Sequence, residues 1–283
     1  KVKKFIFNGG VANNVKANKI LTEQKFIEDL FVPPGPGDEN LSIGAAFAYI
    51  NNVLGFKKAK HYIKKVESAY LGTSISKKNF DNFRKNNLIR KNYFAIKDFN
   101  QKKAAKLVAS GETIVFCNGK MEFGARALGA RSFLSDPSNL KAKKKLNDLI
   151  KKRDFWMPFT PSILEEDYSK YIVNPKKITS EYMTIAFDTT KKGQSHLKAA
   201  IHPEDLTVRP QMVRHKINPS YYNLIKEFKK ITGIGAVLNT SLNLHEKPIV
   251  SKPVDIINEF LKLGKNYLKY IYIKDTLYIL KTK

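Results

Sequence analysis

The chain is organised around one stretch, Lys120-Met-Glu-Phe-Gly-Ala-Arg-Ala-Leu-Gly-Ala-Arg-Ser-Phe-Leu-Ser-Asp-Pro137. An apolar run precedes it, Thr113-Ile-Val-Phe-Cys117, and predicts a buried strand. Arg126 and Arg131 then follow on a glycine-containing backbone. Glycine lets backbone N–H groups approach a ligand closely, and arginine offers a rigid fork of donors that fits phosphate or carboxylate oxygens. The stretch is therefore a candidate anion site, with a solvated loop carrying surface arginines as the simpler alternative.

Arginine usage favours the anion site over the surface loop. The chain has 51 lysine and arginine residues, and lysine serves nearly everywhere that a general positive charge is enough. Arginine is rare, and most of its positions fall into three short stretches that resemble site loops. This distribution indicates that arginine is used where donor geometry matters. The arginines are Arg84, Arg90, Arg126, Arg131, Arg153, Arg209 and Arg214.

The same stretch resembles a family signature. Residues 121–132 are similar to the M-E-F-G-P-R-A-L-G-x-R-S motif of the carbamoyltransferase family named after nodulation protein U and the cephalosporin carbamoyltransferase. Ala125 stands where the family usually has proline, a change that loosens the loop without removing a ligand. With further motifs along the chain the resemblance extends from Gly9 to about Leu280. By this resemblance, the chain corresponds to the C-terminal portion of a family member.

Composition sets limits on the class of protein. With 283 residues, 42% of them hydrophobic and 11% aromatic, the chain can form one large or two modest packed domains. The net charge of +26 suits polyanionic small substrates. Because the lysines are spread along the whole chain, the charge reflects lysine-biased composition and argues against nucleic acid as a partner.

Cysteine content and hydropathy indicate the compartment. The single cysteine, Cys117, lies in the predicted strand and is interpreted as a small core residue, not a nucleophile. One cysteine excludes an internal disulfide and is typical of the reducing cytoplasm. No apolar run reaches transmembrane length, so we expect a cytoplasmic protein without a membrane partner.

The N-terminal region carries two short motifs. Gly9-Gly-Val-Ala-Asn-Asn14 follows a predicted strand and is either a tight turn or a phosphate-binding turn. Asp38 precedes an apolar helix predicted for residues 41–54, and it is either the helix cap or a ligand for metal or phosphate. Because the chain opens inside a strand without an initiator methionine, we expect a fragment, a processed chain or a shortened one.

Both motifs resemble the end of the family's N-terminal domain, which has an actin-like ATPase fold. The resemblance implies that residues 1–60 are the remnant of this carbamoyl-transfer domain, with Asn14 binding substrate. It also implies that Asp38 holds a divalent metal ion, with Fe²⁺ as a candidate. The family's other metal ligands form an H-x-x-x-H pair upstream, and no two histidines here are four positions apart. The metal site is therefore expected to be incomplete in this chain.

Three later motifs supply further candidates. Lys151 and Arg153 lie in a segment, residues 147–161, that is either an aromatic-proline turn around Trp156 or the rim of the anion pocket. Its similarity to the family's I-K-x-R-[DE]-x-[FW]-x-P-F-x-P pattern favours the second. Arg209 lies in a D-x-T-x-R-x-Q motif. A loop after a predicted strand at 236–238 resembles the family's N-T-S-F-N-x-x-G-E-P-I-V loop, and its candidate ligand-binding residues are Asn239, Thr240, Ser241 and Asn243.

Periodicity predicts the elements around these motifs. Residues 183–187 alternate as in a strand, residues 189–194 read as a polar loop, and residues 56–66 read as a basic connector between two domains. A hairpin is predicted for residues 267–280, with its turn at Lys274-Asp275. Helices are predicted for residues 79–87, 100–110, 138–152, 218–233 and 254–263.

The resemblance implies an α/β fold: a YrdC-like domain over residues 61–283, with a twisted sheet around a positive cavity, preceded by a fragment of an actin-like (ASKHA) ATPase-type domain. In the family, carbamoyl phosphate breaks down to carbamate, which attacks the α-phosphate of Mg²⁺-bound ATP and gives carbamoyl-adenylate. The N-terminal domain then passes the carbamoyl group to an acceptor hydroxyl. The implied partners are carbamoyl phosphate, ATP, an unidentified hydroxyl acceptor and the missing N-terminal half. By motif, the phosphate-binding residues are Arg126, Arg131, Lys151, Arg153 and Arg209, while Ser241 and Asn243 orient the carbamoyl group.

Two other functions remain open at this stage. A threonylcarbamoyl-adenylate synthase of related fold would depend on threonine and bicarbonate. A basic, non-enzymatic binding module for RNA or another anion would show salt-dependent, sequence-tolerant binding. Neither a Walker A motif nor a Ser-His-Asp signature is present in the sequence, so an ordinary ATPase and a hydrolase of that type are disfavoured.

Overall fold

The computed structural model describes residues 2–63, 66–154, 157–262 and 268–281. Trp156 of the predicted aromatic turn and Tyr267 at the start of the predicted hairpin lie outside the described residues. The strands, in chain order, are β1 (Lys4–Ile6), β2 (Asp29–Phe31), β3 (Tyr93–Ile96), β4 (Ile114–Cys117), β5 (Arg131–Ser135), β6 (Thr160–Leu164), β7 (Ile172–Val173), β8 (Phe187–Thr189), β9 (Thr207–Val208), β10 (Gln211–Val213), β11 (Ala236–Ser241), β12 (Tyr270–Ile273) and β13 (Thr276–Leu280).

Helices of very different length connect these strands. Two of them, α6 and α10, continue directly into single π-helical turns at Asn147–Lys151 and Ile257–Leu261. The α-helices are α1 (Val15–Glu23), α2 (Leu41–Tyr62), α3 (Lys77–Lys85), α4 (Asn87–Asn92), α5 (Gln101–Ala109), α6 (Leu140–Leu146), α7 (Tyr168–Tyr171), α8 (Lys191–His196), α9 (Pro219–Thr232) and α10 (Pro253–Ile256).

A mixed eight-stranded sheet forms the centre of the molecule, and it confirms the predicted α/β class. Its strand order is β10-β6-β11-β5-β4-β12-β13-β3. β4 shows why the sheet is central, because both of its faces are buried. Ile114 and Phe116 point into one apolar cluster, while Val115 and Cys117 point into the other. A strand with two buried faces reads as a continuous apolar run, as this one does.

The sheet brings the sequence motifs to one end. β11 runs antiparallel to both β5 and β6, and β10 runs parallel to β6. Four strand ends therefore lie side by side at one end of the sheet: the start of β5, the end of β11, the start of β6 and the start of β10. These positions follow or precede the loops that carry Arg126, Arg153, Arg209 and the Asn239–Asn243 segment. Four motifs that are far apart in sequence thus meet by strand register.

The N-terminal segment shares the core of the large domain. Ala12, Ile27, Leu30 and Val32 pack in the same apolar cluster as β4. By contrast, α2 is almost entirely exposed: among its residues only Ala59 is buried, although apolar side chains surround the helix. A helix that is apolar all round is normally covered, so α2 presents an unpartnered apolar surface. No helix in the described parts of the chain has both the length and the apolar character needed to cross a membrane.

Most of the predicted elements are present, and three predictions are wrong. The strand predicted for residues 183–187 fails because Met183 has a positive φ of 58° and pairing begins only at Phe187. The predicted polar loop contains α8, whose first turn is capped by Thr190 Oγ1 accepting from the Gly193 amide at 3.0 Å. The predicted connector is helical as far as Tyr62, beyond a kink at Gly55.

Candidate functional site

Three of the predicted arginines line one cavity at the end of the sheet where the motifs meet. It has a volume of about 350 Å³, and Arg126, Arg153 and Arg209 line it. In the described part of the chain, the arginines that form ion pairs with carboxylates are Arg84 and Arg214, which lie elsewhere. Among these described residues, the three cavity arginines therefore form no ion pair with a carboxylate. A concave surface of this kind attracts a ligand with several negative charges.

The pKa values of these side chains reflect the same crowding. Burial, together with the charges of Arg126 and Arg153, holds the pKa of the Arg209 guanidinium well below its usual value. Burial and Arg126 lower the pKa of Arg153 to about 10, and burial lowers that of Arg126. Each shift means that positive charge at this place costs free energy in the absence of an anion. An anionic ligand would relieve that cost.

Arg153 is fixed by the strand next to the cavity. Its Nη2 donates to Thr240 Oγ1 at 3.1 Å, and its guanidinium lies 5.1 Å from the centre of the Phe159 ring. Its backbone N–H donates to Asn147 Oδ1 at the π-helical turn. Thr240, one of the predicted loop residues, therefore acts on the cavity through Arg153.

Lys151 fixes the other predicted loop residues. Its side chain is 2% exposed, and its Nζ lies 2.9 Å from the Asn243 carbonyl oxygen, 2.6 Å from Asn243 Oδ1 and 3.1 Å from Ser241 Oγ. Ser241 Oγ in turn donates to Asn243 Oδ1 at 2.6 Å. Asn239 lies deeper, with its Nδ2 donating to the Ala127 carbonyl oxygen and to Ser162 Oγ, each at 3.1 Å. The Lys151 ammonium group therefore fixes the positions of Ser241 and Asn243 in the loop after β11.

Stability is expected to rise with pH because of Lys151. Burial, with Arg153 nearby, lowers the pKa of Lys151 to about 6, whereas an unfolded lysine has a pKa of about 10.4. Between these values the unfolded chain binds the extra proton, so the unfolding free energy should increase by up to about 1.4 kcal/mol per pH unit. Urea denaturation of wild type and Lys151→Met between pH 6 and pH 9 measures the difference. The exposed Lys144→Met is the control, and parallel curves for wild type and Lys151→Met would contradict the expectation.

Arg131 has a different environment from the one that the motif predicts. The residue is 0% exposed, and it is not among the residues that line the cavity. Its Nε donates to the Ser251 carbonyl oxygen at 2.9 Å, and its Nη1 donates to those of Asn118 and Ala130 at 3.0 and 2.9 Å. Its donors are thus occupied by backbone, so the structure does not bring Arg131 together with the other three arginines.

The two N-terminal candidates are not among the residues that line the arginine cavity. Asn14 caps α1, with its Oδ1 accepting from the amides of Lys16 and Ala17 at 3.1 Å each. Asp38 is exposed at the start of a 3-10 turn. Within the described residues, no three His, Cys, Asp or Glu side chains lie close enough together to hold a metal ion. Asp38 therefore has no cluster of such ligands beside it among these residues, and its role as a metal ligand stays a prediction.

Models of two known family domains match the chain. The sequence model described as Carbamoyltransferase C-terminus matches residues 105–279, which is more than half of the chain. The chain belongs to this carbamoyltransferase family. The model described as Carbamoyltransferase N-terminus matches residues 1–47. The sequence resemblance to the family is thereby confirmed.

Relatives of this carbamoyltransferase-family chain are much longer than the chain itself. It is 37% identical over 263 residues to an uncharacterized protein of Methanocaldococcus jannaschii, covering 92% of the chain and 42% of that protein. It is 33% identical over 264 residues to nodulation protein NolNO of Sinorhizobium fredii, covering 92% and 38%. The chain thus spans less than half the length of these relatives. A crystal structure of full-length HypF in its phosphate- and nucleotide-bound form matches 56% of the chain and 23% of that protein, with 18% identity and a TM-score of 0.42.

The carbamoyltransferase-family chain departs from the family pattern at Glu246. This residue has a φ of 60°, in the left-handed region that glycine adopts freely, and glycine is the residue that the family pattern has there. Glu246→Gly is therefore expected to stabilise the chain by about 1 kcal/mol, because it removes the left-handed strain. Thermal denaturation measures the change. Lys247→Gly, which lacks a positive φ, is the control and should destabilise; equal effects of the two variants would contradict the strain argument.

Other cavity residues were not predicted from the sequence. Lys16, His202 and Thr207 line the cavity beside the arginines, and the Lys16 ammonium bonds to Asp205 and Thr207. Thr207 stands in the D-x-T-x-R-x-Q motif, which gave a signal for it, whereas nothing in the sequence around Lys16 indicated its position.

Proposed function

We propose that the chain forms carbamoyl-adenylate from carbamoyl phosphate and ATP, and so supplies an ATP-dependent O-carbamoyltransferase reaction. Membership of the carbamoyltransferase family supports the transferase class. The cavity supports the finer assignment, because three guanidinium groups without carboxylate partners line it. Three guanidinium groups are more than one carboxylate needs and suit a ligand with several phosphates, and phosphoryl chemistry depends mainly on such charge stabilisation.

The proposed reaction has two balanced steps. Water hydrolyses carbamoyl phosphate to inorganic phosphate and carbamate, and a carbamate oxygen then attacks the α-phosphorus of ATP and displaces pyrophosphate. Arg126, Arg153 and Arg209 would bind the phosphates and neutralise the charge on the displaced pyrophosphate. Ser241 and Asn243, held by Lys151, would orient the carbamoyl group. Mg²⁺ would arrive with the nucleotide and reduce its charge.

We also propose the division at residue 60, with residues 61–283 as the adenylate-forming domain. The first part contributes Val15 and Lys16 to the cavity wall. Its exposed α2 would be covered by further sequence of the Carbamoyltransferase N-terminus type, which supplies the transfer step to a hydroxyl acceptor. The match of that family model to residues 1–47 and the length of the relatives support this partner.

Release of AMP and pyrophosphate tests the proposed reaction. The chain is incubated with ATP, Mg²⁺ and carbamoyl phosphate, and Arg126→Ala is assayed beside it. We expect product that requires carbamoyl phosphate and is lost in the variant. Product that requires threonine and bicarbonate instead would favour the threonylcarbamoyl-adenylate alternative. Binding that responds to Arg126→Ala no more than to exchange of a scattered lysine would favour a basic binding module.

A further inference from the structure

Glu122 lies at the start of the loop that carries Arg126, and it is 6% exposed. One carboxylate oxygen, Oε1, accepts three backbone N–H groups from the far end of that loop. The donors are the amides of Leu128 at 2.8 Å, Ala130 at 2.7 Å and Arg131 at 3.1 Å. A single side chain thus closes the segment of residues 122–131 upon itself.

No cation competes for this carboxylate. In the described parts of the chain, Glu122 forms no ion pair, and its second oxygen, Oε2, is buried without a hydrogen-bond partner. Backbone amides are therefore the groups that hold it. A buried carboxylate is costly unless it is well bonded, so its presence here needs a reason beyond packing.

Further contacts fasten this loop to its surroundings. The Leu128 carbonyl oxygen accepts from Tyr70 Oη at 2.6 Å and from Gln211 Nε2 at 2.8 Å. Two glycines with φ of 97° fit the loop between its neighbours: a Cβ on Gly124 would lie 2.2 Å from the Pro34 carbonyl oxygen, and one on Gly129 would lie 2.1 Å from the Tyr221 ring. The loop therefore has little freedom to shift.

The side chain of Arg126, unlike the backbone of its loop, is not held by hydrogen bonds to the described residues. It has no hydrogen-bond partner among the described residues, and it lies at the wall of two adjoining cavities. Its position is consequently set by its backbone. The backbone is set in turn by the three bonds to Glu122 and by the two glycine contacts.

We propose that Glu122 is a positioning residue that places the Arg126 guanidinium in the anion cavity. This inference rests on the proposed function for its ligand, and it adds a residue that touches no substrate. Substituting alanine for Glu122 leaves three buried amides unpaired and releases the loop. Glutamine keeps an acceptor oxygen of the same reach and should preserve most of the loop geometry.

Calorimetric titration with inorganic tripolyphosphate tests the proposal in a double-mutant cycle. We expect Glu122→Ala to weaken binding by about 10- to 100-fold, because small displacements of a charged ligand-binding group have effects of this order. In the Arg126→Ala background the same change should have little further effect, because Glu122 acts through Arg126. Glu122→Gln should bind more tightly than Glu122→Ala, and Glu112→Ala, which breaks a surface ion pair with Lys269, should bind like wild type.

Several outcomes would overturn the proposal. They are additive losses in the double variant, wild-type affinity in Glu122→Ala, and failure of both Glu122 variants to fold, which would assign the residue to architecture alone. If the wild-type chain binds tripolyphosphate but releases no AMP, the proposed reaction fails and the test of Glu122 still stands. If wild type binds no tripolyphosphate, the anion cavity and the role of Glu122 fail together.

Discussion

Arg209→Ala is expected to abolish most polyanion binding and, at the same time, to stabilise the free protein. Arg209 is the arginine whose pKa is lowered by burial and by both other cavity arginines. Removing one partner of a buried charge interaction costs about 2–5 kcal/mol, or roughly 30- to 5000-fold in affinity. Without a ligand, the same change removes repulsion and an unfavourable desolvation, so the melting temperature should rise.

A loss of affinity together with a gain in melting temperature distinguishes a ligand-binding arginine from a structural one. Titration with tripolyphosphate gives the affinity, and thermal denaturation of the free protein gives the stability. Arg214→Ala is the matched control, because Arg214 follows closely in sequence but is paired with Glu165 and Glu181. Arg214→Ala should lose stability and keep its affinity. Equal affinities for the two variants would remove Arg209 from the proposed site.

The same residues show how far the sequence alone leads. The strand β4, the capped helix α9 and the hairpin β12–β13 follow from local patterns, because each has a continuous apolar run, a cap or a turn within a few residues. The meeting of the motifs at one end of the sheet depends on strand register, and the paired residues Ser132 and Ser241 are 109 positions apart. No local pattern gives that register, and only the family resemblance predicted a common site.

Arg126 and Arg131 show a second limit. They lie five residues apart in one motif, yet one lines the cavity and the other is fully buried. The difference arises because β5 begins at Arg131, paired with Cys117 inside the sheet, whereas Arg126 lies between two left-handed glycines. In both cases the residue type predicts a group that donates to oxygen atoms. Tertiary structure decides whether those atoms are backbone carbonyl oxygens, as for Arg131, or the cavity is left for a ligand, as for Arg126.

Long-range contacts explain the residues that were not predicted. Lys16 reaches the cavity wall because α1 packs against the segment around Asp205, which is 189 positions away. The first turn of α1 is capped by Asn14, and Lys16 in that turn lines the cavity. A pairing of this kind leaves no trace in local periodicity.

Arg131→Ala should be the most destabilising single substitution considered for this chain. It would leave the carbonyl oxygens of Asn118, Ala130 and Ser251 without their donors, and it would open a cavity where a fully buried side chain had been. Breaking a buried charged network of this kind costs about 3–5 kcal/mol. The melting temperature should fall by roughly 6–20 °C.

Circular dichroism against temperature measures this change, and Arg84→Ala supplies the comparison. Arg84 is paired with Asp81 at the surface, where such a pair contributes only about 0–1 kcal/mol. Arg131→Lys should restore little of the lost stability, because one ammonium group cannot donate to the three carbonyl oxygens that the planar guanidinium reaches. The result also decides between the two roles of this arginine. A variant that melts like wild type but no longer binds tripolyphosphate would return Arg131 to the phosphate-binding set that its motif predicts, whereas a large loss of stability assigns it to the frame that holds the loop of Arg126.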